Sequence, residues 1–294
     1  MHGLRTASPL TAFRFGRAIR RGQIFVEYQP IVSLTTGEPL AAEALLRWRH
    51  PRRGLIQPAS FIPGVERSAR GEQLDNFVLE AAAAQAWGLR KAGFGVPIAV
   101  NLRPAAFQDP RLPARLAQLR GRWSLGPDAL QIELTERALT DGDRPLQVIE
   151  ELAEQGVPVA LDDFGVGFSS PKRLAQLPLN TLKIDRSFVE QIGDSPGPRE
   201  FGARRVCLVV KAATELAHAL RLRVTAEGVE TDEAWRLLRR LGVDAAQGFL
   251  ISRPVPADQL IHRLREMAVA IPQSGRGKPA VTYVKRPIAD GSAK

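Results

Sequence analysis

Strand-like and helix-like patterns alternate about eight times in one run of this chain, from Ile24 to Met267. Such alternation favours a parallel sheet covered by helices, and about eight repeats favour closure into a (β/α) barrel. The first two strands, at 24–32 and 39–48, are separated only by turn residues and predict a hairpin. One strand is therefore expected to run antiparallel to the rest. An open doubly wound sheet is the alternative fold.

Apolar spacing predicts the individual elements. The expected strands are 24–32, 39–48, 96–100, 130–134, 158–162, 181–184, 223–226 and 245–250. The expected helices are 74–89, 111–123, 145–155, a short one around Leu174, 206–220, 232–241 and 257–267. The proline-rich residues 195–198 are expected to form a loop, because proline suits neither regular structure there.

The net charge of +10 is concentrated at the two ends of the chain. Residues 1–22 contain five arginines and no acid, and residues 272–294 contain five basic residues and one acid, which leaves +1 for the rest. We therefore expect a basic N-terminal arm at 1–22, a barrel domain at 23–271 and a basic, disordered tail at 272–294. The arms could contact nucleic acid or an anionic surface, but we favour solvated ends.

Other features of the composition point to a soluble cytoplasmic protein. No apolar run approaches the ~20 residues of a membrane helix, so no transmembrane segment is expected. The N-terminus is rich in arginine and has no apolar core segment, which makes it a poor secretory signal. A single cysteine, Cys207, excludes an internal disulfide framework and a Cys-based zinc cluster.

Polar residues stand at or near the ends of most predicted strands. They are Glu43, Asn101, Glu133, the pair Asp162 and Asp163, Lys183, Glu227 and Gln247. In a barrel of this kind the carboxyl ends of the strands converge on one mouth, where the chemistry is placed. Each residue also has a plain explanation as a solvated strand end, and an isolated Asp-Asp pair is more often an acidic turn. Seven such positions in one register are hard to explain by solvation alone.

Five carboxylates around one mouth need roughly two divalent cations to be tolerated, because they repel one another and lose solvation. Carboxylate oxygens are the hard ligands that Mg²⁺ and Mn²⁺ prefer. A two-metal site suits the hydrolysis of a phosphodiester. Lys183 would supply a positive charge that orients the attacking water or stabilises the transition state.

Several motifs resemble the EAL family of bacterial cyclic-di-GMP phosphodiesterases. The signature is Glu43-Ala-Leu-Leu-Arg47. The supporting matches are Gln29-Pro-Ile31, Phe61-Ile-Pro63, Asn101, Glu133-Leu-Thr-Glu136, Asp162-Asp-Phe-Gly165, Lys183-Ile-Asp-Arg-Ser-Phe188, Ala226-Glu-Gly-Val-Glu230 and Gln247-Gly-Phe249. The resemblance extends from about Ile24 to Met267, and the ordered set is far more specific than a lone Glu-Ala-Leu.

The resemblance implies a modified TIM (β/α)8 barrel with an antiparallel first strand. It also implies hydrolysis of cyclic-di-GMP to linear pGpG with two Mg²⁺ or Mn²⁺ ions. One metal would be held by Glu43, Asn101, Glu133 and Asp162. The second would be held by Asp162, Asp163 and Glu227. Glu227 is also a candidate general base, and the sequence does not separate these two roles.

The resemblance further assigns residues to the substrate and to regulation. Lys183 would lie beside the nucleophilic water, and Arg47 would bind a phosphate. The other residues expected to contact the dinucleotide are Gln29, Leu46, Glu230 and Gln247. Glu136 would brace the loop after the aspartate pair, and the family is expected to form homodimers.

The chain departs from the family pattern at several positions. The loop after Asp163 has Val166, Phe168 and Pro171 where the family has two hydroxyl residues and leucine, and Arg103 stands where serine is usual. None of these changes removes a predicted metal ligand. The altered loop after Asp163 nevertheless leaves room for an alternative function, a catalytically weak or inactive cyclic-di-GMP receptor or scaffold that signals through protein contacts.

Overall fold

The computed structural model describes residues 9–139, 142–165, 171–192 and 200–269. The predicted tail at 272–294, the predicted loop at 195–198, and Val166 and Phe168 lie outside the described residues. The division into two arms and a barrel domain stays a prediction.

Ten strands are present in the described part of the chain. They are β1 (Ile24–Ser33), β2 (Pro39–His50), β3 (Gly54–Ile56), β4 (Ile98–Asn101), β5 (Leu130–Thr135), β6 (Val159–Phe164), β7 (Thr181–Ile184), β8 (Arg223–Ala226), β9 (Ala245–Ala246) and β10 (Val255–Pro256). Eight of them close a barrel in the order β1-β2-β4-β5-β6-β7-β8-β9, with β3 and β10 added beside β2 and β1.

Strand β1 runs antiparallel to both of its barrel neighbours. It pairs with β2 on one side, where Gln29 lies opposite Glu43, and with β9 on the other, where Val32 lies opposite Ala246. The remaining barrel strands are parallel. The predicted barrel with an antiparallel first strand is confirmed, and closure through β1 excludes the open doubly wound sheet.

Ten α-helices accompany the strands in the described residues. They are α1 (Pro9–Arg20), α2 (Ile62–Glu66), α3 (Gly71–Lys91), α4 (Leu112–Trp123), α5 (Arg144–Glu154), α6 (Pro171–Gln176), α7 (Arg186–Ile192), α8 (Glu200–Ala219), α9 (Asp232–Arg240) and α10 (Ala257–Val269). One continuous core is formed by their buried apolar faces and the strands. Phe15 of α1 is fully buried in this core and stacks on Phe61. None of these helices has the length and apolar character that a membrane crossing requires.

The observed elements differ from the predicted ones mainly in short segments. β9 ends at Ala246, so Gln247 follows the strand instead of lying within the predicted 245–250. The sequence did not predict β3, β10, α2 or α7. Two or three residues carry too little periodicity to be recognised, and such strands exist because a neighbouring strand supplies their hydrogen bonds.

The barrel interior beneath the mouth is filled largely by small side chains. Side chains two residues apart on a strand share a face, so a second layer lies below the predicted site residues. This layer consists of Ile31, Ala41, Ala99, Gln131, Ala160, Thr181, Thr225 and Ala245, all buried. Four alanines leave room for longer polar side chains above them.

Candidate active site

The centre of the barrel mouth is occupied by the Lys183 ammonium group. Among the described carboxylates four surround it: Glu227 at 2.6 Å, Glu133 at 2.7 Å, Asp162 at 3.3 Å and Glu43 at 3.7 Å. These residues come from β2, β5, β6, β7 and the end of β8, so barrel closure brings them together. Only 1% of the Lys183 side chain is exposed, which makes this a buried charge cluster.

Amide side chains link the carboxylates to one another. Asn101 Nδ2 donates to Glu43 Oε1 at 2.6 Å and to Glu133 Oε2 at 3.1 Å. Gln247 Nε2 donates to the other oxygen of Glu43 at 2.6 Å and to Gln29 Oε1 at 3.0 Å. These bonds hold the carboxylate oxygens in fixed directions. The predicted site residue Glu43 lies inside β2 and not at its end, because β2 continues for seven residues beyond it.

An irregularity in β6 places the two adjacent aspartates at the site. Leu161 pairs with Leu182 and Phe164 pairs with Ile184, so Asp162 and Asp163 together lie opposite Lys183. This two-against-one arrangement is a β-bulge, a device that redirects side chains near active sites. Asp163 has φ +55°, a left-handed conformation that aspartate tolerates better than most residues. Its N–H donates to Asp162 Oδ1 at 3.0 Å.

The residue that ends the aspartate motif must be glycine. Gly165 has φ +98°, and a Cβ built there would lie 2.6 Å from the Phe188 ring. The Gly165 N–H points to Glu136 Oε1 at 3.4 Å, whereas the buried Glu136 Oε2 has no partner among the described residues. Glu136 is thus placed at the start of the loop that it is predicted to brace.

Burial is the largest single influence on the pKa of each shifted group in the cluster. Burial raises the pKa of Glu133 to about 8, the neighbouring carboxylates add to this shift and Lys183 opposes it. Burial also raises the pKa of Glu227 well above its usual value and that of Asp163 to about 6. For Lys183, burial lowers the pKa, but the four carboxylates outweigh burial and raise it above its usual value. Lys183 therefore keeps its proton at neutral pH.

The donor set fits divalent cations. The ligand oxygens of Glu43, Glu133 and Asp162 all lie within 4.8 Å of one another, and so do those of Asp162, Asp163 and Glu227. Asp162 belongs to both groups. The mouth contains five carboxylates and one ammonium group, so its acidic groups outnumber its basic ones. Hard oxygen donors of this kind suit Mg²⁺ or Mn²⁺ better than softer metals.

Not every predicted substrate residue contacts the cluster. Arg47 Nε pairs with Glu27 Oε2 at 2.8 Å, and its Nη1 donates to the Leu46 carbonyl at 2.9 Å. Arg47 shares a strand face with Glu43 but stands four residues further along β2. Glu230 is exposed, and no contact from its side chain to the cluster is present in the described part of the chain.

Sequence reasoning missed two partners of the predicted residues. Gln131 Nε2 lies 3.4 Å from Glu133 Oε1, directly beneath it on β5. Glu27 forms the ion pair with Arg47. The signal for Gln131 was its position two residues before Glu133, which places both side chains on one face of the strand. Glu27 could not be recognised from the sequence, because its contact with Arg47 depends on the pairing of β1 with β2.

A cleft of about 460 Å³ adjoins the cluster. Asn101 and Asp163 belong both to the cleft wall and to the polar residues of the mouth. The opposite wall is formed by α2, α3 and the segment after β4. Leu46 lines this cleft, and its contact with a ligand stays a prediction.

Comparison with known proteins identifies the family. The model of the EAL domain matches residues 14–254. The chain belongs to the EAL domain family. The bifunctional diguanylate cyclase/cyclic di-GMP phosphodiesterase MucR of Pseudomonas aeruginosa is 38% identical over 247 residues, which are 83% of this chain and 35% of MucR. The cyclic di-GMP phosphodiesterase NbdA of the same organism is 37% identical over 251 residues, 85% of this chain and 31% of NbdA.

The chain spans about a third of the length of these curated relatives. A solved structure of an EAL domain protein matches along almost its whole length. The PaMucR phosphodiesterase in a c-di-GMP complex superposes with a TM-score of 0.79 at 37% identity, and the match covers 85% of this chain and 99% of that one. The similarity therefore concerns the EAL domain, residues 14–254, and the barrel that it forms.

Proposed function

We propose that this EAL domain protein hydrolyses cyclic-di-GMP to linear pGpG with two bound divalent cations. The observation that carries the proposal is the convergence of Glu43, Glu133, Asp162 and Glu227 on the Lys183 ammonium at the barrel mouth. Relatives named as cyclic di-GMP phosphodiesterases, and the solved PaMucR complex with c-di-GMP, support this choice of substrate.

Two overlapping sets of side chains would hold the cations. Glu43, Asn101, Glu133 and Asp162 would bind one ion, and Asp162, Asp163 and Glu227 the other. When bound, Mg²⁺ or Mn²⁺ lowers the pKa of water and stabilises charge on phosphoryl oxygens. Asn101 would contribute its side-chain oxygen, while Gln247 keeps the Glu43 carboxylate in place through its 2.6 Å hydrogen bond.

Lys183 and Glu227 have different roles in this proposal. Lys183 stays protonated, so it acts as a hydrogen-bond donor and a positive charge next to the attacking water, and not as a base. The proton of that water needs an acceptor, and we assign this role to Glu227. Its carboxylate is 2.6 Å from Lys183 Nζ, and burial raises its pKa above the usual value, which makes it a stronger base.

The overall reaction consumes one water molecule. The water oxygen forms a bond to phosphorus, the bond from phosphorus to a ribose 3′ oxygen breaks, and that oxygen takes up a proton. The second phosphodiester is left intact, so the product is linear pGpG. No oxidant or reductant is required.

Several side chains are available to bind the dinucleotide. Gln247 Oε1 is buried without a partner among the described residues, so it is free to accept a hydrogen bond from the ligand. Gln29 stands beside it, and Leu46 lines the adjoining cleft. Arg47 would bind a phosphate if it exchanged its Glu27 partner for the ligand, and Glu230 would approach from the exposed loop after β8.

Product formation from cyclic-di-GMP tests the proposal directly. Purified protein is incubated with cyclic-di-GMP and Mg²⁺ or Mn²⁺, then with EDTA, and pGpG is quantified by chromatography. Formation of pGpG that depends on the metal supports the proposed phosphodiesterase activity. Tight binding without turnover would contradict it and favour the receptor or scaffold. If the protein neither binds nor hydrolyses cyclic-di-GMP, this dinucleotide is excluded as its ligand. The expected homodimer and the expected cytoplasmic location stay predictions.

A further inference from the structure

Six exposed arginines outside the candidate active site lie at one edge of the barrel. Residues 44–65 contain four arginines and no acidic residue, although residues 23–271 together carry a net charge of only +1. Strand β2 continues past the site residue Glu43 and joins β3 through the turn 51–53, which contains two adjacent arginines. We define the basic rim by its exposed side chains, which are Arg17, Arg20, Arg21, Arg49, Arg52 and Arg53.

Strand pairing places the end of β2 between two other segments of the chain. The Arg49 N–H donates to the Gln23 carbonyl at 2.7 Å, and the Arg49 guanidinium lies 4.8 Å from the centre of the Phe25 ring. On its other side β2 pairs with β3, where Arg49 lies opposite Leu55. The turn between β2 and β3 is therefore close to the start of β1.

Helix α1 brings the other three arginines to the same edge. Arg20 is the last residue of the helix, and Arg21 lies in the short connection to β1. Arg17 stands one turn earlier, and its carbonyl accepts the Arg21 N–H at 3.1 Å. Side chains three and four positions apart share a helix face, so these arginines lie together. Phe15 is fully buried in the core and fixes the helix, which makes this part of the rim belong to the folded body.

The positive charges of the rim are not neutralised within the described part of the protein. None of the six arginines forms an ion pair with a described residue, whereas the buried Arg47 of the same strand pairs with Glu27 at 2.8 Å. A group of like charges without acids among them creates a positive potential over the surface. Such a surface is complementary to a partner that presents many negative charges.

The apolar and aromatic residues around the rim favour a lipid surface over a nucleic acid. Leu55 is 50% exposed beside the arginines, and an apolar side chain next to basic ones suits the boundary between phosphate headgroups and acyl chains. Proteins that bind single-stranded nucleic acid stack bases on exposed aromatic rings. Here the Phe25 ring is covered by the Arg49 guanidinium, and Trp48 is only 3% exposed.

We propose that the basic rim binds the surface of an anionic lipid bilayer. The arginine forks would bind headgroup phosphates with paired hydrogen bonds, and Leu55 would enter the bilayer at the level of the headgroups. The rim is on the side of the mouth, because β2 runs towards the mouth and the antiparallel β1 begins there. The opposite end of the barrel would face away from the bilayer. The proposal concerns attachment and does not depend on the hydrolysis of cyclic-di-GMP.

Co-sedimentation with vesicles measures this binding. Full-length protein is mixed with vesicles of phosphatidylcholine alone, or of phosphatidylcholine with phosphatidylglycerol, at about 0.1 M and about 1 M salt. We expect the protein to bind the anionic vesicles at the lower salt and to dissociate at the higher one, because the Debye length falls from about 10 Å to about 3 Å.

Two variants test the two components of the rim. Arg52→Gln/Arg53→Gln removes two charges and should weaken the binding by roughly 25-fold, about fivefold for each arginine. Leu55→Ser removes the exposed apolar group and should weaken the binding by about three- to tenfold. All three side chains are exposed, and thermal unfolding checks that each variant is folded.

Arg239→Gln/Arg240→Gln is the matched control. These two arginines are also adjacent and exposed, and they form the end of α9. Because α9 begins after β8 and ends before β9, its last turn lies at the end of the barrel opposite the mouth. Both double variants lose the same net charge and retain the basic residues at the two ends of the chain. A difference between them therefore comes from the position of the arginines.

Each result supports or overturns the proposal, and the proposed function is judged separately by the formation of pGpG. Weaker binding of Arg52→Gln/Arg53→Gln and of Leu55→Ser, with the control near wild type, supports the lipid surface. Equal weakening of the two double variants would show an effect of net charge alone and overturn it. Wild type that binds anionic vesicles no better than neutral ones would also overturn it. Displacement of the protein from the vesicles by a DNA or RNA oligonucleotide at equal phosphate concentration would assign the rim to nucleic acid instead.

Discussion

The Lys183 ammonium and the Glu133 carboxylate meet 2.7 Å apart at the base of the mouth, and neither side chain is more than 1% exposed. They come from β7 and β5, with β6 between them. Breaking a buried pair leaves an uncompensated charge, and here three more carboxylates depend on the same ammonium.

Lys183→Met is therefore expected to destabilise the protein and to reduce turnover. Removing one partner of a buried ion pair costs about 3–5 kcal/mol, and removing a donor to the transition state costs about 10²–10³ in kcat. Urea unfolding in EDTA measures the first effect and kcat with saturating metal the second. Lys211→Met is the control, because that lysine lies on α8 and is 56% exposed. A kcat for Lys183→Met near the wild-type value would exclude Lys183 from the reaction.

Divalent cations should stabilise the folded protein, because five carboxylates share one ammonium. Binding at about 100 times the Kd adds about 2.7 kcal/mol to the free energy of unfolding. For a domain of this size that corresponds to roughly 5–10 °C in Tm. Thermal unfolding with Mg²⁺ or Mn²⁺ and then with EDTA measures the shift. An equal shift in Asp162→Asn, which alters the carboxylate shared by both ligand groups, would argue against binding at this site.

Glu43→Ala should abolish hydrolysis while sparing the fold. The substitution removes a proposed metal-ligand oxygen and the acceptor of hydrogen bonds from Asn101 and Gln247. Loss of a group that merely orients a metal ligand costs about 10–100-fold, so loss of the ligand itself should exceed about 100-fold in kcat/KM. Steady-state kinetics measure this loss, and circular dichroism checks the fold. Unchanged turnover would refute the two-metal assignment.

Arg103 and Asp75 form a buried ion pair, with Arg103 Nη2 2.6 Å from Asp75 Oδ2, and this pair is suited to a double-mutant cycle. Arg103→Leu alone should lower the free energy of unfolding by about 3–5 kcal/mol, because Asp75 remains buried without its partner. Adding Asp75→Leu should recover part of this loss, since no unpaired charge is then left. Urea unfolding of the four proteins gives the coupling. Strict additivity of the two single effects would show that the pair is not coupled.

Gly165→Ala should lower the free energy of unfolding, whereas the same change at Gly88 should not. Alanine at position 165 would require positive φ and would collide with the Phe188 ring, so a loss of more than about 1 kcal/mol is expected. The affinity for metal should also fall, because Gly165 stands two residues after Asp163. Gly88 lies within α3 with open space around it, and Gly88→Ala should raise the free energy of unfolding by about 0.5–1 kcal/mol. Calorimetric unfolding compares the two.

The sequence by itself determined the barrel and the chemical types at its mouth. Strand and helix periods are local properties, so the alternation from 24 to 267 indicated the fold without knowledge of any contact. Because the carboxyl ends of barrel strands converge, the acids at strand ends predicted one shared site. The turn residues between the first two strands predicted the antiparallel β1. Short elements such as β3 and α7 were missed, since they have no period to detect.

Only the tertiary structure decided which of those residues meet. The bulge in β6 places two adjacent aspartates opposite Lys183, and no local pattern reveals a register shift between two strands. Arg47 faces Glu27 because β1 and β2 pair in one register, and Arg103 finds Asp75 because α3 packs beside the end of β4. These contacts join residues 20 or more positions apart, and their geometry is set by the closure of the barrel and the packing of helices around it. The sequence therefore specifies which functional groups are present, and the closure of the barrel with its helix packing specifies which of them are in contact.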